Sequence, residues 1–261
     1  MTRLSKESIQ QALTTSLFGR KLFFFESIDS TNACAKTLAQ AGTPEGTVVV
    51  TEFQSHGRGR HGRPWSARSG ENLLFSVILR PPLSRTSAGL LTFFAAVSVA
   101  RGIELVCEKL MEYKWPNDLL FNGRKTSGIL LENSLDNGNV DYAIVGVGIN
   151  VNQREFDGDL SRRATSLALE LGRSVDRTLL FTSIMTSMEL AYHDVRTGEF
   201  TALLDEWNAR CTMFGHQVTV AQNDTRITGK AIGLNADGGL ILETPAGLRT
   251  IYAGDISLLP A

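Results

Sequence analysis

The stretch LLFNGRKTSGILLENSLDNGNVDYAIVGVGIN, residues 119–150, contains strand-like runs separated by two strong turn signals. The turn signals are Asn-Gly at 122–123 and Asp-Asn-Gly at 136–138. Asn-Gly favours the tight turn of a β-hairpin, because both residues tolerate a positive φ. The stretch therefore predicts consecutive antiparallel hairpins, and its last run, residues 142–150, predicts a buried strand.

Helical and strand-like patterns outside this stretch predict that helices cover the sheet. Helices are predicted at 5–17, 33–40, 88–107, 179–198 and 200–209, and further strands at 21–27, 47–53 and 73–79. From about residue 211 only short strand-like runs follow, so we predict a small SH3-like β-barrel at 211–261. The chain is thus predicted to be an α+β protein, with a mixed, largely antiparallel sheet in a larger domain at 1–210.

The composition argues against several classes of protein. The chain has 261 residues with 26 Lys+Arg and 27 Asp+Glu, a net charge of −1, whereas proteins that bind nucleic acid phosphates usually carry a net basic surface. Its three cysteines are scattered, which excludes a disulfide framework and a Cys-rich zinc site. The polar start is unlike a signal peptide, and the apolar run at 88–100 is too short for a bilayer. We therefore expect a cytoplasmic protein that binds neither DNA nor a membrane.

A second informative stretch is GRGRHGRPW at residues 57–65, which lies between two predicted strands. Its glycines allow a ligand to approach the backbone closely, and Arg58, Arg60 and Arg63 concentrate positive charge and N–H donors. This combination predicts a site for a phosphate or a carboxylate. Other interpretations are a disordered Arg-Gly segment that binds nucleic acid and a solvated loop. The near-zero net charge of the chain favours the small anion.

Further polar residues interrupt the predicted strands or open helices, and they suit the same chemistry. They are Ser30, Thr31, Asn32, Gln54, Lys114, Asn117, Asp118, Lys125 and Asn150. The sequence lacks a Ser/His/Asp nucleophile pattern, a GxxxxGK(S/T) phosphate loop, a GxGxxG motif opening a helix, and histidines spaced for a metal. We therefore predict no metal site built by the protein. Cations without a nucleophile favour charge neutralisation and positioning, as phosphoryl and nucleotidyl transfer require.

Five motifs in this order resemble the biotin protein ligase family. They are Asp29-Ser30-Thr31-Asn32; Gln54 with Gly57-Arg58-Gly59-Arg60-x-Gly62-Arg63-x-Trp65; Lys114-Trp115-Pro116-Asn117-Asp118; Gly123-Arg124-Lys125-x-x-Gly128-Ile129-Leu130; and Gly146-Val147-Gly148-Ile149-Asn150. The resemblance extends from about residue 19 to 210, and the small β domain resembles the C-terminal module of that family. It implies a class II synthetase-like, biotin- and ATP-binding ligase domain at 1–210.

The resemblance also implies an activity and a set of site residues. Biotin and ATP, with Mg²⁺, would form biotinyl-5′-AMP and pyrophosphate, and a lysine of a biotin carboxyl carrier protein would then take the biotin. Lys125 and Arg60 would be the catalytic residues. The biotin site would comprise Ser30, Thr31, Asn32, Gln54, Arg58, Gly59, Arg60, Trp65, Lys125 and Gly128. The nucleotide site would comprise Arg58, Arg63, Lys114, Asn117, Asp118 and Asn150.

Three functions compete with that of a biotin ligase. A lipoate or octanoate ligase shares the fold, a sensor would bind biotin without activating it, and a non-catalytic module would bind nucleic acid through the Arg-Gly loop. The Gly-Arg loop together with Lys114-Trp115-Pro116-Asn117-Asp118 favours biotin over lipoate and octanoate.

The sequence departs from the family pattern at two places. His61 stands where many relatives carry an arginine, which softens the charge of the loop. The residues before 19 are too few for a winged helix-turn-helix, so we expect a monofunctional ligase. A homodimer is a further expectation, with residues 142–150 as a candidate exposed edge for pairing with another chain or with the carrier.

Overall fold

The computed structural model describes residues 4–222 and 225–258. The helices are α1 (Lys6–Ala12), α2 (Thr31–Gln40), α3 (Leu91–Cys107), α4 (Leu160–Arg163), α5 (Leu167–Leu171), α6 (Arg177–Thr197) and α7 (Thr201–Arg210). The strands are β1 (Leu22–Phe25), β2 (Val48–Thr51), β3 (Leu73–Leu79), β4 (Glu112–Lys114), β5 (Asp118–Phe121), β6 (Arg124–Asp136), β7 (Asn139–Ile149), β8 (Gln217–Gln222), β9 (Thr225–Leu234), β10 (Leu240–Thr244), β11 (Gly247–Ile251) and β12 (Asp255–Leu258). This confirms the predicted α+β fold.

The strands form two sheets. The first has seven strands in the order β1-β2-β3-β7-β6-β5-β4. Its β1 and β2 run parallel, and its other neighbouring strands pair antiparallel. The second sheet has five antiparallel strands in the order β11-β10-β9-β8-β12. The predictions of a mixed, largely antiparallel sheet and of a small β module at the C-terminal end are therefore confirmed, while the boundary between residues 210 and 211 stays a prediction.

Both turn signals form hairpins. Asn122 and Gly123 have φ angles of 50° and 72°, and they join β5 to β6. Asn137 and Gly138 have φ angles of 47° and 82°, and they join β6 to β7. Two successive positive φ angles give the turn whose twist matches that of the flanking antiparallel strands.

The expected exposed edge at residues 142–150 is wrong. Strand β7 lies in the middle of the sheet and pairs with β3 on one side and β6 on the other. Its nearly continuous apolar sequence reflects burial on both faces, which is typical of a central strand. The outer strands of this sheet are β1 and β4.

The first helix is shorter than the predicted 5–17. It ends at Ala12, because Leu13 adopts an extended backbone (φ −72°, ψ 125°). The backbone N–H groups of Ser16, Leu17 and Phe18 instead donate to the Glu189 carboxylate of α6, at 2.7, 2.8 and 3.2 Å. A distant carboxylate therefore replaces the helical hydrogen bonds that local propensity favours.

Residues Ala88–Cys107 form a short 3₁₀ turn followed by α3, and together they are long and apolar enough to cross a membrane. The apolar helical segment is thus longer than the run at 88–100. The short length of that run was the reason for predicting that no segment crosses a membrane. Most of the helix is buried inside the protein, where it packs on α6. At the crossing, a Cβ on Gly102 would lie 2.5 Å from Ile184 Cγ1, so glycine allows the two helices to approach this closely.

The sheet brings the predicted motifs together near the start of α2. Ser30 caps that helix, its Oγ accepting from the Ala33 N–H at 3.5 Å. The loop at residues 57–65 connects β2 with β3, and β5 and β6 carry the motifs around Asp118 and Lys125. The second sheet packs nearby, since the Trp115 indole Nε1 donates to the Gly238 carbonyl at 3.2 Å.

Candidate active site

A single cavity of about 520 Å³ brings the predicted site residues together. Its lining includes all of them: Ser30, Thr31, Asn32, Gln54, Arg58, Gly59, Arg60, Arg63, Trp65, Lys114, Asn117, Asp118, Lys125, Gly128 and Asn150. These residues come from several segments of the chain that are far apart in sequence, so only the folded sheet places them side by side. Their individual roles remain predictions.

One end of the cavity is uncharged and rich in hydrogen-bonding groups. Ser30, Thr31 and Asn32 are each 4% exposed. Gln54 Oε1 accepts from the Thr31 backbone N–H at 2.8 Å and lies 3.0 Å from Thr31 Oγ1. Hydroxyls and amides fixed in this way suit a neutral polar ring of a ligand rather than a charged group.

The Asn32 side chain lies across the sheet. Its Nδ2 donates to the Glu132 carboxylate at 2.7 Å, and its Oδ1 lies 2.6 Å from Ser76 Oγ. A Cβ at position 146 would overlap Asn32 Oδ1, so the amide occupies the space above Gly146. Glycine is therefore required at this point of β7 for a close approach between helix and sheet.

The indole of Trp65 covers another glycine-lined part of the sheet. A Cβ on Gly148 would lie 2.5 Å from Trp65 Cε2, and one on Gly128 would lie 3.0 Å from Trp65 Cζ3. The Lys125 ammonium lies 5.5 Å from the ring centroid, within range of a cation–π interaction. Trp65 thus separates the uncharged end of the cavity from its cationic end.

Lys125 lies beside this boundary, next to the Trp65 ring. Its Nζ lies 2.6 Å from Asp118 Oδ1, across the β5–β6 hairpin. The contact is an ion pair, and Asp118 Oδ1 is buried without a hydrogen-bond partner. The ammonium and the carboxylate therefore keep hydrogen-bonding capacity for a ligand.

The arginine loop, residues 57–65, contacts the second sheet. Arg60 donates from Nη2 to the Gly254 carbonyl at 3.2 Å and from Nη1 to Asn117 Oδ1 at 3.4 Å. Burial lowers the pKa of Arg60, and the nearby Asp255 and Asp118 carboxylates oppose that shift. Arg63 forms an ion pair with Asp255, while Arg58 is exposed at the cavity wall.

Two of the predicted nucleotide-site residues donate hydrogen bonds from their side chains to backbone carbonyl groups. Asn150 is 4% exposed, and its Nδ2 donates to the Thr165 carbonyl at 3.1 Å. Asn117 Nδ2 donates to the Ile129 carbonyl at 2.7 Å. Lys114 is half-buried in the cavity wall. Asn117 and Asn150 therefore shape the wall, whatever direct contact they make with a ligand.

Several residues at the cavity were not predicted from the sequence. Phe156, Arg162, Arg163 and Asp255 line it, and Ser76 and Glu132 support Asn32 beneath it. The adjacent arginines 162 and 163 were a charge signal in the sequence. Their place at the cavity depends on a backbone bridge between Lys125 and Ala164, which no local pattern reveals.

Among residues 4–222 and 225–258, no group of three or more His, Cys, Asp or Glu side chains is arranged to hold a metal ion. Asp118 is the carboxylate that contacts Lys125, and its Oδ1 is buried without a hydrogen-bond partner. Mg²⁺ is commonly held by one or two carboxylates together with substrate phosphates. The donor set therefore fits a magnesium ion that arrives with a nucleotide.

Comparisons with known proteins agree with this arrangement. Residues 24–150 match the Biotin/lipoate A/B protein ligase family, and residues 213–259 match the Biotin protein ligase C terminal domain. The chain is 37% identical to the bifunctional ligase/repressor BirA of Bacillus subtilis, over 98% of this chain and 79% of that protein. It is 32% identical to the biotin--[acetyl-CoA-carboxylase] ligase of Paracoccus denitrificans, over 87% of this chain and 96% of that protein.

A solved structure extends the likeness to three dimensions. The biotin protein ligase from Aquifex aeolicus in complex with biotin and ATP superposes with a TM-score of 0.79 and 30% sequence identity, covering 93% of this chain and 100% of that one. Fold, cavity and matched segments together define a ligase catalytic domain followed by the C-terminal domain of such enzymes. The chain belongs to the biotin protein ligase family. The expected family is confirmed, and a nucleic-acid-binding module is not favoured.

Proposed function

We propose that this protein activates biotin with ATP and then transfers the biotinyl group to a lysine of a biotin carboxyl carrier protein. The observation that carries the proposal is the division of one cavity into two ends. The uncharged end, around Thr31 and Asn32, suits the cyclic urea of biotin. The cationic end, around Lys125 and the arginine loop, suits the biotin carboxylate and the phosphates of ATP.

The first step joins two anions. A biotin carboxylate oxygen attacks the α-phosphorus of ATP, and the bond from that phosphorus to the bridging oxygen breaks, releasing pyrophosphate. At about 3 Å and an effective dielectric near 20, the repulsion between the two anions is about 5 kcal/mol. Lys125 and Arg60 both line the cavity, so we propose that they offset this repulsion and that Lys125 exchanges its contact with Asp118 for the developing charge.

Magnesium is part of this proposal. Bound with ATP, it would neutralise charge on the departing pyrophosphate. Asp118 would be its protein ligand, because the buried Oδ1 of that carboxylate has no hydrogen-bond partner. The protein supplies few carboxylates here, so the phosphates would provide most of the remaining ligands.

The second step transfers the acyl group. The neutral amine of a carrier lysine attacks the acyl carbon of biotinyl-5′-AMP, an amide bond forms, AMP leaves and the ammonium proton is released to solvent. The mixed anhydride is open to hydrolysis, so the loop at residues 57–65 is proposed to exclude water until the carrier arrives.

An ATP–pyrophosphate exchange assay tests the first step. We expect labelled pyrophosphate to enter ATP only when biotin and Mg²⁺ are both present. Lipoate and octanoate in place of biotin serve as controls for the related ligases of the same fold. Exchange without biotin, or exchange supported by lipoate, would contradict the proposal.

Mass spectrometry of a carrier domain tests the second step. With biotin and Mg-ATP, the carrier should gain the mass of one biotinyl group at its acceptor lysine. A carrier with arginine at that position is the control, because its guanidinium is not a nucleophile at neutral pH. Labelling of that control would show non-specific release of the adenylate.

A further inference from the structure

Lys125 lies where the regular pairing of β6 is interrupted on both sides. Towards β5 the register shifts by one residue, so that Thr126 is an extra residue next to Lys125. Towards β7 the pairs begin at Ser127, and Lys125 instead forms a bridge with Ala164. A bulge of this kind changes the direction of neighbouring side chains. The strand pairing therefore does not by itself fix the direction of Lys125.

A short segment, residues 164–165, takes the place of β7 beside Lys125. The backbone N–H of Thr165 donates to the Lys125 carbonyl at 2.9 Å. The Thr165 carbonyl accepts from Asn150 Nδ2 at 3.1 Å, and the Thr165 hydroxyl donates to Glu170 Oε1 at 2.6 Å. The backbone of Lys125 is thus joined to the Glu170 carboxylate of α5 through one residue.

The same carboxylate also holds the hairpin that carries Lys125. Asn122 Nδ2 donates to Glu170 Oε2 at 2.6 Å, and the Arg124 guanidinium forms an ion pair with Glu170 Oε1. Asn122 is the first residue of the turn, and Arg124 directly precedes Lys125. Glu170 therefore connects the hairpin with the segment at residues 164–165, and Lys125 lies between the two.

Glu170 is a buried carboxylate whose charge is stabilised by these partners. Its side chain is 5% exposed. Burial alone would raise the pKa of Glu170, but hydrogen bonds from Thr165 and Asn122, together with the charge of Arg124, outweigh burial and hold the pKa below the usual 4.5. At neutral pH the group is therefore ionised and only accepts hydrogen bonds. Lys125 lines the cavity, whereas Glu170 is outside its lining.

We propose that Glu170 is a positioning residue, which joins the β5–β6 hairpin to residues 164–165 and so holds the Lys125 ammonium where the biotin carboxylate meets ATP. Because Glu170 is outside the cavity lining, it acts through Lys125. This inference rests on the proposed function, which gives Lys125 its part in the chemistry. The effect on rate is expected to be large, since misplacing a reacting group by about 1 Å costs up to about 10²-fold.

Single-turnover release of pyrophosphate, with biotin and Mg-ATP, tests the inference. Glu170→Leu fills a similar space but accepts no hydrogen bond, and it should lower the rate constant by about tenfold to a hundredfold. Glu170→Gln keeps an oxygen for Thr165 and Arg124, so its rate constant should stay within about fivefold of that of the unaltered protein, the size of one net hydrogen bond. The amplitude reports the folded fraction separately from the rate constant.

A double variant separates positioning of Lys125 from a general structural effect. In a Lys125→Ala protein the group that Glu170 positions is gone. Adding Glu170→Leu to that protein should therefore slow pyrophosphate release by less than about threefold, whereas independent effects would multiply.

Glu45→Leu is a control for loss of a half-buried carboxylate elsewhere. Glu45 is 22% exposed, accepts from the Tyr192 hydroxyl at 2.8 Å and lies 3.9 Å from the Arg196 guanidinium. Its partners belong to α6 and not to the hairpin. The variant should lower stability and leave the rate constant of pyrophosphate release unchanged.

If Glu170→Leu does not fold, Thr165→Val removes only the hydroxyl between Glu170 and Lys125. It should slow release by about threefold to tenfold, less than the leucine variant, because Asn150 still holds the Thr165 carbonyl. A near-normal rate constant in a folded Glu170→Leu protein, or in Thr165→Val where that protein does not fold, would overturn the inference. So would effects that multiply with Lys125→Ala. Absence of biotin-dependent pyrophosphate release by the unaltered protein would instead overturn the proposed function.

Discussion

At the scale of single residues, the proposed mechanism depends on a lysine whose ammonium already contacts a carboxylate. Lys125 Nζ lies against Asp118 and near the Trp65 ring, and it is held on a hairpin whose turn requires two positive φ angles. The proposed mechanism requires this charge to move from Asp118 to a bound anion. A point charge on a flexible stem suits that exchange better than a planar guanidinium.

Lys125→Ala is expected to slow formation of the adenylate by about 10²–10³, the size of losing one charge-stabilising donor. Lys125→Arg should restore only part of the rate, because the guanidinium fork does not replace a point charge. Single-turnover release of pyrophosphate measures the step directly. Lys36→Ala, at an exposed position of α2, is the control and should leave the rate unchanged. A near-normal rate in a folded Lys125→Ala protein would remove this lysine from the chemical step.

At the scale of single elements, two segments are held by charged groups far away in sequence. Two backbone hydrogen bonds bridge the arginine loop at residues 57–65. The Trp65 N–H donates to the Gly57 carbonyl at 2.9 Å, and the Gly59 N–H donates to the Arg63 carbonyl at 2.7 Å. Its arginines then contact Asp255 and Gly254 of the second sheet. The segment after α1 is held by Glu189 in a comparable way.

The arginine loop is predicted to become better ordered when an adenylate binds, because an anion between its arginines adds charge-assisted hydrogen bonds. Limited trypsin digestion, with mass spectrometry of the fragments, reports this. Cleavage after Arg58, which is exposed, and after Arg60 should be fast in the free protein and much slower with biotin plus Mg-ATP. ATP alone should protect less. The Arg63–Pro64 bond is a poor probe, since trypsin cuts weakly before proline. Equal cleavage with and without ligands would contradict the prediction that the loop becomes better ordered when the adenylate binds.

The Glu189 contact is predicted to make stability depend on pH. Burial alone would raise the pKa of Glu189, but hydrogen bonds from Ser16, Leu17 and Phe18 outweigh it and hold the pKa below the usual 4.5. A lowered pKa in the folded protein contributes stability above about pH 4.5, and that stability is lost as the pH falls through the folded pKa. Glu189→Gln should therefore lower the unfolding free energy at pH 7 by about 1–3 kcal/mol.

Urea titrations of the Glu189→Gln and unaltered proteins at pH 7 and pH 4 measure this dependence. The difference between the two proteins should be smaller at the lower pH. Glu199→Gln, an exposed position after α6, should show no such pH-dependent difference. If Glu189→Gln lowers the unfolding free energy equally at pH 7 and pH 4, the charge of the carboxylate is not what holds the segment.

At the scale of the whole molecule, the second sheet completes the cavity. Asp255 and Ile256 of β12 line it, and Trp115 of the active-site motif donates to the carbonyl of Gly238. Gly238 has a positive φ of 76°, and a Cβ there would overlap the Phe93 ring of α3. The position of this sheet thus depends on a glycine, because residue 238 must adopt a positive φ and must also leave room for the Phe93 ring.

Gly238→Ala is expected to disturb the contact between the two sheets. Steric overlap at a packed position costs about 1–3 kcal/mol, and the shifted sheet should raise the KM for ATP through Asp255 and the arginine loop. Thermal unfolding and pyrophosphate exchange measure the two effects. Gly138→Ala has the same backbone strain, with a φ of 82°, but open space around its Cβ. Equal losses in both variants would assign the effect to strain rather than to contact between the sheets.

Features that depend on neighbouring residues could be predicted from the sequence. The turns at 122–123 and 136–138 formed because asparagine and glycine accept positive φ wherever they stand. Ser30 capped α2 because its hydroxyl reaches a free N–H three residues on. The polar motifs could be assigned to one site because their order resembles that of a known family, and the cavity contains all of the predicted site residues.

Features that depend on residues far apart in the chain became visible only in the folded structure. The apolar pattern of β7 does not reveal whether it lies at an edge or in the centre, and pairing with β3 and β6 placed it in the centre. The end of α1 depended on Glu189, which lies in α6 and is 173 residues beyond Ser16 in the chain. The hydrogen bond from Asn32 to Glu132 and the Arg63–Asp255 ion pair likewise join segments that no local pattern connects. Local propensities act over a few residues, whereas these contacts exist only because burial of the apolar strands and helices brings distant polar groups together.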